Sequence, residues 1–319
     1  MGEVKVSIHC LCYNHEKFIV EALDGMVNQK TNFAYEIIVH EDASTDRSAE
    51  IVKEYEQKYP ELIKVIYQEK NQYSQNIDAF RTHMFPVSRG KYIAICDGDD
   101  FWCCEDKLQL QYDFLEAHPD TFMVACNSER IRTDGSKINN VVEVQGSRYI
   151  PVEELIFKNK SVPQQSSLMF RREFYEVEQP EWFYKTVMDN RFRLFSACLG
   201  KVYYIDRVMA KYRAMVQGSY SMSLRKDQTH YKKQLTSAIE FFEHFDEYTS
   251  FKYTEAIKKE ITRRSILLAM AERDYKKAHE LAKTSGIPLG RKMRTLLFIR
   301  YYFPWVEPAL KKYAYRKRG

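Results

Sequence analysis

The feature that most constrains the fold is an alternation of short β-branched runs with helix-patterned segments through the first hundred residues. Strands are predicted at residues 4–8, 36–39, 64–67 and 91–96, and apolar residues recur at helical spacing over residues 19–26. This order is the signature of βαβ units. The sequence therefore predicts an α/β fold with a mostly parallel sheet flanked by helices.

Helical patterning recurs further along the chain. One helix is predicted at residues 76–87, and longer helix-forming stretches follow at residues 228–248 and 254–284. Because the strand pattern stops before these stretches, we expect two domains. The first would span residues 1–222, and the second, residues 223–319, would be a helical C-terminal appendage.

Composition excludes several classes of protein. Hydrophobic residues make up 45% of the 319 and charged residues 29%, which indicates a folded chain rather than a disordered one. No leader-like N-terminus and no run of 18 apolar residues occurs, so neither secretion by a signal peptide nor a membrane span is expected. The seven cysteines form no C-x-x-C pair, which favours buried thiols and a cytoplasmic location.

Polar clusters follow three of the predicted strands at their carboxyl ends. They are Tyr-Asn-His-Glu at residues 13–16, Glu-Asp-Ala-Ser at residues 41–44 and Asp-Gly-Asp-Asp at residues 97–100. Ligands of open α/β sheets bind outside the carboxyl ends of the strands. We therefore expect the three clusters to converge on one crevice.

The third cluster places Asp97, Asp99 and Asp100 within four residues. Three such carboxylates repel one another unless a cation offsets their charge. Their hard oxygens suit Mg²⁺ or Mn²⁺, since such sites commonly combine one or two carboxylates with substrate phosphates. Gly98 would let the backbone approach closely. A simple turn with a helix N-cap explains the same residues equally well when they are taken alone.

Three segments, in order, resemble the signatures of family 2 glycosyltransferases with the GT-A fold. They are VSIHCLCYN at residues 6–14, YEIIVHEDASTD at residues 35–46 and GKYIAICDGDD at residues 90–100. The resemblance implies a GT-A nucleotide-diphospho-sugar transferase fold, with the helical appendage outside it. It also implies a metal-dependent, inverting transfer from a nucleotide-diphosphate sugar, expected to be UDP-linked, to a hydroxyl of a glycan or lipid-linked acceptor in surface polysaccharide synthesis.

The resemblance also implies which residues bind the nucleotide-sugar. Tyr13 lies where the family packs an aromatic ring on the nucleobase, with Asn14 and Glu16 beside it in the same cluster. Asp42 corresponds to a carboxylate that contacts the base edge or ribose, and Arg81 to a basic residue that contacts the nucleotide. Together with Asp97 and Gly98, these five residues form the predicted donor side of the site.

The metal and the catalytic base are implied in the same way. Asp97, Gly98 and Asp99 resemble the D-x-D motif, with Asp99 the expected ligand of Mn²⁺ or Mg²⁺. Asp97 and Asp100 would support the ion or contact the donor. Asp189 lies where the family carries its catalytic carboxylate, and it would take the proton of the acceptor hydroxyl. A helix N-cap is the alternative interpretation of Asp189.

The chain departs from the family pattern at three positions, one of which is Asn76, where many relatives place a Gly. Glu41 replaces the more usual Asp of the paired acids, and Met215 stands where relatives carry a His. Arg213 or His230 would have to serve in place of that His. This departure leaves the detailed ligand set of the site open.

A polar loop precedes the strand predicted near residues 166–170. Gln164, Gln165 and Ser166 occupy the part of the chain where the family builds its acceptor side, and they would bind sugar hydroxyls. An ordinary polar loop is an equally good interpretation of these three residues.

The C-terminal end, residues 291–319, is strongly basic and rich in aromatic residues. This segment contains nine Lys or Arg residues and one Glu, which gives it a net charge of +8. This composition suits an amphipathic segment at an anionic membrane surface, which would place the protein at the inner face of the membrane. A helix that packs on the rest of the chain with a solvated basic end is the alternative. We expect no nucleic-acid partner.

Two other functions stay open at this stage. A sugar-phosphate nucleotidyltransferase also uses an α/β fold with an acidic metal site, but it would need a glycine-rich phosphate loop that residues 10–18, CLCYNHEKF, do not provide. A non-catalytic relative that only binds its ligand is the second alternative.

Overall fold

A computed structural model describes residues 2–157, 162–185, 190–214, 227–287, 289–303 and 305. The chain divides into two compact units, Met1–Met222 and Ser223–Gly319. The first unit holds the sheet, and the second unit is helical in its described residues.

One mixed sheet organises the first unit. Its strands are β1 (Val4–Cys12), β2 (Ala34–Glu41), β3 (Ile63–Tyr67), β4 (Tyr92–Ile95), β5 (Phe101–Trp102), β6 (Thr121–Ile131), β7 (Lys137–Asn140), β8 (Arg148–Tyr149), β9 (Leu168–Arg171) and β10 (Lys201–Arg213). Their order in the sheet is β3-β2-β1-β4-β9-β6-β10-β5, with β7 paired to β6 and β8 paired to β10.

The first four strands pair in parallel, as the sequence predicts. β1 lies between β2 and β4, and β2 also pairs with β3. In register, Cys12 lies beside Glu41, and Glu41 lies beside Tyr67. The carboxyl ends of these strands therefore meet at one edge of the sheet, which is where the polar clusters follow.

The remaining strands complete a mixed sheet. β10 pairs in parallel with β6 along most of its length. β9 runs antiparallel to both β4 and β6, and β5, β7 and β8 also pair antiparallel to their neighbours. Leu168, Met169 and Phe170 of β9 are fully buried. A strand buried on both faces reads as a continuous apolar run whichever way it points. Its direction was therefore not visible in the sequence.

Helices flank the sheet. Those of the first unit are α1 (Ile19–Val27), α2 (Ser48–Lys58), α3 (Lys107–Ala117), α4 (Val152–Ile156), α5 (Glu173–Glu176), α6 (Glu181–Lys185) and α7 (Asn190–Leu199). α1 buries the face predicted for it, including Ile19 and Met26, against the core of the sheet. Cys10, Cys12 and Cys96 are buried free thiols, in line with the cysteine pattern.

The prediction of one helix at residues 76–87 is wrong, because this segment forms two short turns of different types. The segment contains a π-helical turn, Phe80–Met84, and a 3₁₀ turn, Phe85–Val87. Asn76 adopts a left-handed conformation with φ 59°, which an α-helix does not accommodate, and Pro86 cannot donate a backbone hydrogen bond. These two residues confine the helical backbone to short turns.

The second unit contains α8 (Gln228–Tyr248), α9 (Thr254–Glu272), α10 (Tyr275–Ser285) and α11 (Arg291–Tyr302). The helix-forming stretch at residues 254–284 contains two helices, α9 and α10. They are separated at Arg273, which has φ 66°, and Asp274 caps α10 by accepting from the Lys277 amide at 3.0 Å. Among the residues that the structure describes, no helix is both long and apolar enough to cross a bilayer.

Candidate active site

The loops that follow β1 and β2 are locked together by hydrogen bonds. The Thr45 amide donates to Asn14 Oδ1 at 2.8 Å, and the Arg47 amide donates to Glu16 Oε2 at 3.2 Å. Asn14 is held at φ 55°, a conformation that Asn tolerates better than most residues. Two predicted donor-side residues therefore shape the loop itself, and neighbouring Tyr13 remains exposed at its surface.

Asp42 is buried at the end of β2 and organises the loop that follows β3. Its amide donates to the Cys12 carbonyl at 2.9 Å, which places it directly beside the end of β1. Its carboxylate accepts from Asn71 Nδ2 at 2.9 Å, from the Gln72 amide at 2.6 Å and from the Tyr73 amide at 3.2 Å. The carboxylate thus fixes a loop wall next to Tyr13.

Arg81 lies on the π-helical turn that packs against β2. His83 of the same turn stacks on His40 of β2, with ring centroids 5.3 Å apart. The Arg81 guanidinium donates to Gln179 Oε1 at 3.1 Å and lies 5.1 Å from the centre of the Tyr184 ring. The structure therefore places Arg81 on an element adjoining Asp42 and ties its charged end to the segment around residue 180.

The acidic turn, defined as residues 97–100, presses against the end of β1. The Gly98 amide donates to the Leu11 carbonyl at 2.8 Å. A Cβ atom at Gly98 would lie 2.8 Å from His15 Nδ1 and 2.9 Å from the Leu11 carbonyl oxygen, too close for any side chain. The close backbone approach expected at Gly98 is therefore required, and it holds Asp97 and Asp99 at the strand-end surface, where both stay partly exposed.

Asp100 points inward and is only 1% exposed. Its Oδ2 accepts from Ser166 Oγ at 2.7 Å and from Gln164 Nε2 at 2.6 Å, while its Oδ1 accepts from the Arg213 amide at 3.0 Å. Burial raises the pKa of Asp100 well above its usual value, and the other two carboxylates of the acidic turn raise it further. Within the described residues, this carboxylate anchors the turn to β10 and to the loop before β9.

The predicted acceptor-side residues lie against the acidic turn. Ser166 Oγ also accepts from the Asp97 amide at 3.1 Å, and Gln165 Nε2 donates to Asp97 Oδ2 at 3.3 Å. The Ser166 carbonyl accepts from Trp102 Nε1 at 2.7 Å. The sequence did not predict these contacts. They arise because β9 runs antiparallel beside β4 and brings the preceding loop next to the residues that follow β4.

Arg213, at the end of β10, supports the acidic turn from behind. Its Nη1 donates to the Asp99 carbonyl at 2.8 Å, and its Nη2 is paired with the Glu21 carboxylate. The guanidinium lies 5.0 Å from the Phe18 ring centre and 4.7 Å from that of Phe101. Burial lowers the pKa of Arg213 to about 10, so it stays charged at neutral pH and offsets the negative charge of the turn.

The oxygen atoms of the acidic turn fit a hard divalent cation. Within the described part of the chain, no group of three or more His, Cys, Asp or Glu side chains is arranged to enclose a metal ion. Asp97 and Asp99, both partly exposed residues, nevertheless bring two carboxylates to this turn, although Asp97 Oδ1 itself is buried. Mg²⁺-type sites of this kind use one or two protein carboxylates, and the phosphates of a substrate complete the shell.

The predicted base, Asp189, and the departure at Met215 lie outside the described residues. Helix α7 begins directly after Asp189, and its Arg191 is paired with Asp78 at 2.7 Å, near the π-helical turn. His230, the second candidate to replace the missing His, belongs to the helical unit. Arg213 belongs to the first unit and contacts the acidic turn directly.

Sequence comparisons connect this arrangement to known proteins. A family model described as Glycosyl transferase family 2 matches residues 7–177. The uncharacterised protein Rv1520 of Mycobacterium tuberculosis is 34% identical over 168 residues, which cover 53% of this chain and 47% of Rv1520, so the chain spans about half the length of that relative. The poly(ribitol-phosphate) β-glucosyltransferase of Bacillus spizizenii is 36% identical over 99 residues, 31% of this chain and 15% of that enzyme.

Solved structures share the architecture. TarS residues 1–349 from S. aureus, in complex with UDP-GlcNAc, superpose with a TM-score of 0.53 at 16% identity and cover 84% of this chain and 81% of that one. The mannosyltransferase PcManGT of Pyrobaculum calidifontis, in complex with GDP-Man and Mn²⁺, gives a TM-score of 0.53 at 17% identity over 93% and 84% of the two chains. The likeness to these transferases confirms the predicted GT-A fold.

Proposed function

The chain belongs to glycosyl transferase family 2, and on this premise we propose that it moves a sugar from a nucleotide-diphosphate donor to a hydroxyl of a glycan or lipid-linked acceptor. One observation carries the proposal. Exposed Tyr13, the loop wall held by Asp42, and the partly exposed residues Asp97 and Asp99 all lie at one edge of the sheet. That edge combines an aromatic face for a base with hard oxygens for a diphosphate-bound cation.

The proposed donor is UDP-linked. In this assignment Tyr13 stacks on the base, Asp42 contacts the base edge or ribose, and Arg81 faces the nucleotide, while Asn14 and Glu16 keep the loop in shape. The complex of TarS with UDP-GlcNAc supports a uridine nucleotide, whereas PcManGT was solved with GDP-Man. The donor base is therefore the first property that an experiment should determine.

The proposed cofactor is Mn²⁺ or Mg²⁺, held by Asp99 with Asp97 in support. When bound, such a cation neutralises the charge that develops on a departing diphosphate. Asp100 contributes differently, because its carboxylate accepts hydrogen bonds from Ser166, Gln164 and the Arg213 amide. It would therefore hold the turn that carries Asp99 in place. The Mn²⁺ complex of PcManGT supports the choice of metal.

The proposed transfer inverts the anomeric centre. The acceptor oxygen attacks the anomeric carbon from the face opposite the diphosphate, and the bond between that carbon and the diphosphate oxygen breaks. The Asp189 carboxylate accepts the proton of the acceptor hydroxyl as the new glycosidic bond forms. Positive charge spreads over the sugar ring in an oxocarbenium-like transition state, as in glycoside hydrolysis.

The proposed acceptor is a glycan or a lipid-linked glycan of a surface polysaccharide, and the protein would act at the cytoplasmic face of the membrane. The name of the Bacillus spizizenii relative, a poly(ribitol-phosphate) β-glucosyltransferase, supports a role in surface-polymer synthesis. Because Gln164, Gln165 and Ser166 contact the acidic turn, we propose that they position its carboxylates and that any contact with acceptor hydroxyls is secondary.

A screen for release of the nucleotide tests this proposal. The full chain is incubated with UDP-, GDP- and other nucleotide-linked sugars, with and without Mn²⁺, and the released nucleoside diphosphate is quantified. We expect Asp189→Asn to bind the same donor but to lose about 10²- to 10⁴-fold in transfer. Normal turnover in this variant would remove Asp189 as the base. Release of pyrophosphate from a nucleoside triphosphate and a sugar phosphate would instead identify a nucleotidyltransferase.

A further inference from the structure

Four large aromatic side chains are exposed together at the end of α11. Phe298 is 53% exposed, Tyr302 52%, Phe303 42% and Trp305 76%. The Phe298 ring centre lies 4.7 Å from that of Tyr302 and 6.4 Å from that of Phe303, which is 6.2 Å from Trp305. We call these four residues the aromatic surface. Contiguous exposed apolar groups of this kind mark interaction sites.

Packing within the helical unit does not account for the aromatic surface. The opposite side of α11 already covers the small core of this unit, where Leu297 is buried and Met293 and Leu296 pack beside it. That core includes Ile266 of α9 and Ala278 of α10. α11 is therefore anchored by one set of apolar side chains, and it presents a second set outward.

Positive charge accompanies the aromatic surface. Arg291 and Arg294 are exposed in the first turn of α11, and residues 291–319 carry a net +8 by sequence. Tyrosine and tryptophan favour the boundary between lipid headgroups and acyl chains, since each has an apolar ring and a polar group. Basic residues near such a boundary are attracted to anionic lipids.

We propose that the aromatic surface binds the headgroup region of an anionic lipid bilayer, with Phe298, Tyr302, Phe303 and Trp305 entering the interface and Arg291 and Arg294 contacting lipid phosphates. This inference goes beyond the proposed transfer and does not depend on it. Charge complementarity selects a bilayer over a second copy of this chain, since two copies would bring their basic segments together. If both proposals hold, the enzyme is held at the surface that carries lipid-linked acceptors.

Flotation of the full chain with lipid vesicles tests the inference. Vesicles of phosphatidylcholine mixed with phosphatidylglycerol should carry the protein, and vesicles of phosphatidylcholine alone should carry much less. Replacing both Phe298 and Trp305 by Ser should weaken binding by about tenfold or more, because both rings lose their apolar contact with the interface. Replacing both Arg291 and Arg294 by Glu should weaken binding to the anionic vesicles most at low salt.

A matched control separates this surface from exposed aromatics in general. Phe251→Ser removes a side chain that is 65% exposed in the same helical unit but lies in the turn between α8 and α9. The control should bind vesicles like the unmodified chain, and all variants should keep its melting temperature and its rate of nucleotide release. Unchanged vesicle binding by the Phe298 and Trp305 double variant would overturn the inference. So would tighter binding to single-stranded DNA than to anionic vesicles, or an aromatic-dependent dimer.

Discussion

The ends of β2 and β4 both carry acidic residues, yet the structure uses them in different ways. At the end of β2, the buried Asp42 carboxylate accepts three hydrogen bonds from residues 71–73 and builds the wall of the site. Of the three Asp residues at the end of β4, Asp100 is buried, whereas Asp97 and Asp99 are partly exposed. We therefore propose that β2 contributes a fixed surface for a neutral group and β4 a charged surface for a cation.

The acidic turn holds this arrangement at an energetic cost. Burial of the Asp100 carboxylate is unfavourable, and the neighbouring carboxylates add repulsion. The Arg213 guanidinium, held against the Asp99 carbonyl and between two aromatic rings, offsets part of that cost. Asp100 has a structural role in the turn, but Asp97 and Asp99 add charge beside it. This added charge is our reason for proposing a metal site in place of the simple turn that the sequence left open.

The largest expected effect comes from the exposed half of the acidic turn. Asp99→Asn keeps the shape of the side chain but removes its charge, so we expect nucleotide release to fall by about 10²- to 10³-fold. The loss should be partly recovered at higher Mn²⁺ concentration, because the weakened site still keeps Asp97. Steady-state rates measured across a Mn²⁺ titration check this. Equal rates in the variant and the unmodified chain would contradict the assignment of Asp99.

Gly98→Ala tests whether the position of the turn matters as much as its charge. The added Cβ would meet the Leu11 carbonyl at 2.9 Å and His15 Nδ1 at 2.8 Å, and the carbonyl belongs to β1 and cannot move away. We expect about a 10²-fold loss of rate, since small displacements of a reacting group cost this much. Gly290→Ala is the matched control, because nothing lies within 4 Å of its Cβ position. Unchanged nucleotide release by the Gly98→Ala variant would show that the turn tolerates displacement.

β1 supports both strand ends, and its buried His9 makes that support sensitive to pH. Burial lowers the pKa of His9 to about 3, whereas an unfolded chain binds the proton near pH 6.5. Stability is therefore lost as pH falls below about 6.5, and the loss from His9 reaches about 2 kcal/mol at pH 5. His9→Gln keeps a donor for Ser88 Oγ, which lies 2.7 Å from His9 Nε2, and should flatten this dependence. Urea unfolding at several pH values measures the free energy of unfolding. If this free energy depends on pH in His9→Gln as it does in the unmodified chain, the role of His9 is contradicted.

The smallest expected effect lies at the end of β2. In Asp42→Asn, one amide oxygen replaces the two carboxylate oxygens, so fewer acceptor positions remain for the backbone amides of Gln72 and Tyr73. The loop wall should therefore loosen. We expect donor affinity to fall about tenfold, a typical loss for one or two hydrogen bonds, with or without Mn²⁺. Calorimetric titration with UDP measures this. If Asp42→Asn lowers the affinity for UDP only when Mn²⁺ is present, the proposed difference in role between the two strand ends is contradicted.

The sequence predicted the parts of the molecule that local pattern determines. Alternating strands and helices gave the parallel half of the sheet, and the polar runs after β1, β2 and β4 do lie at one edge. It did not predict contacts between distant segments. The hydrogen bonds of Gln164 and Ser166 to Asp100, and the guanidinium of Arg213 behind Asp99, depend on the antiparallel placement of β9 and on the path of β10. Neither is encoded in hydrophobic periodicity.

Linked binding of nucleotide and metal tests the central claim most directly. The melting temperature of the full chain is measured with UDP alone, with Mn²⁺ alone and with both. A ligand at about 100 times its dissociation constant stabilises the folded state by about 2.7 kcal/mol. Because the diphosphate would complete the coordination shell of the proposed ion, the shift with both ligands should exceed the sum of the separate shifts. At the lowest Mn²⁺ concentration that gives this excess in the unmodified chain, Asp99→Asn should abolish it. Additive shifts, or an excess that survives in Asp99→Asn, would contradict the account.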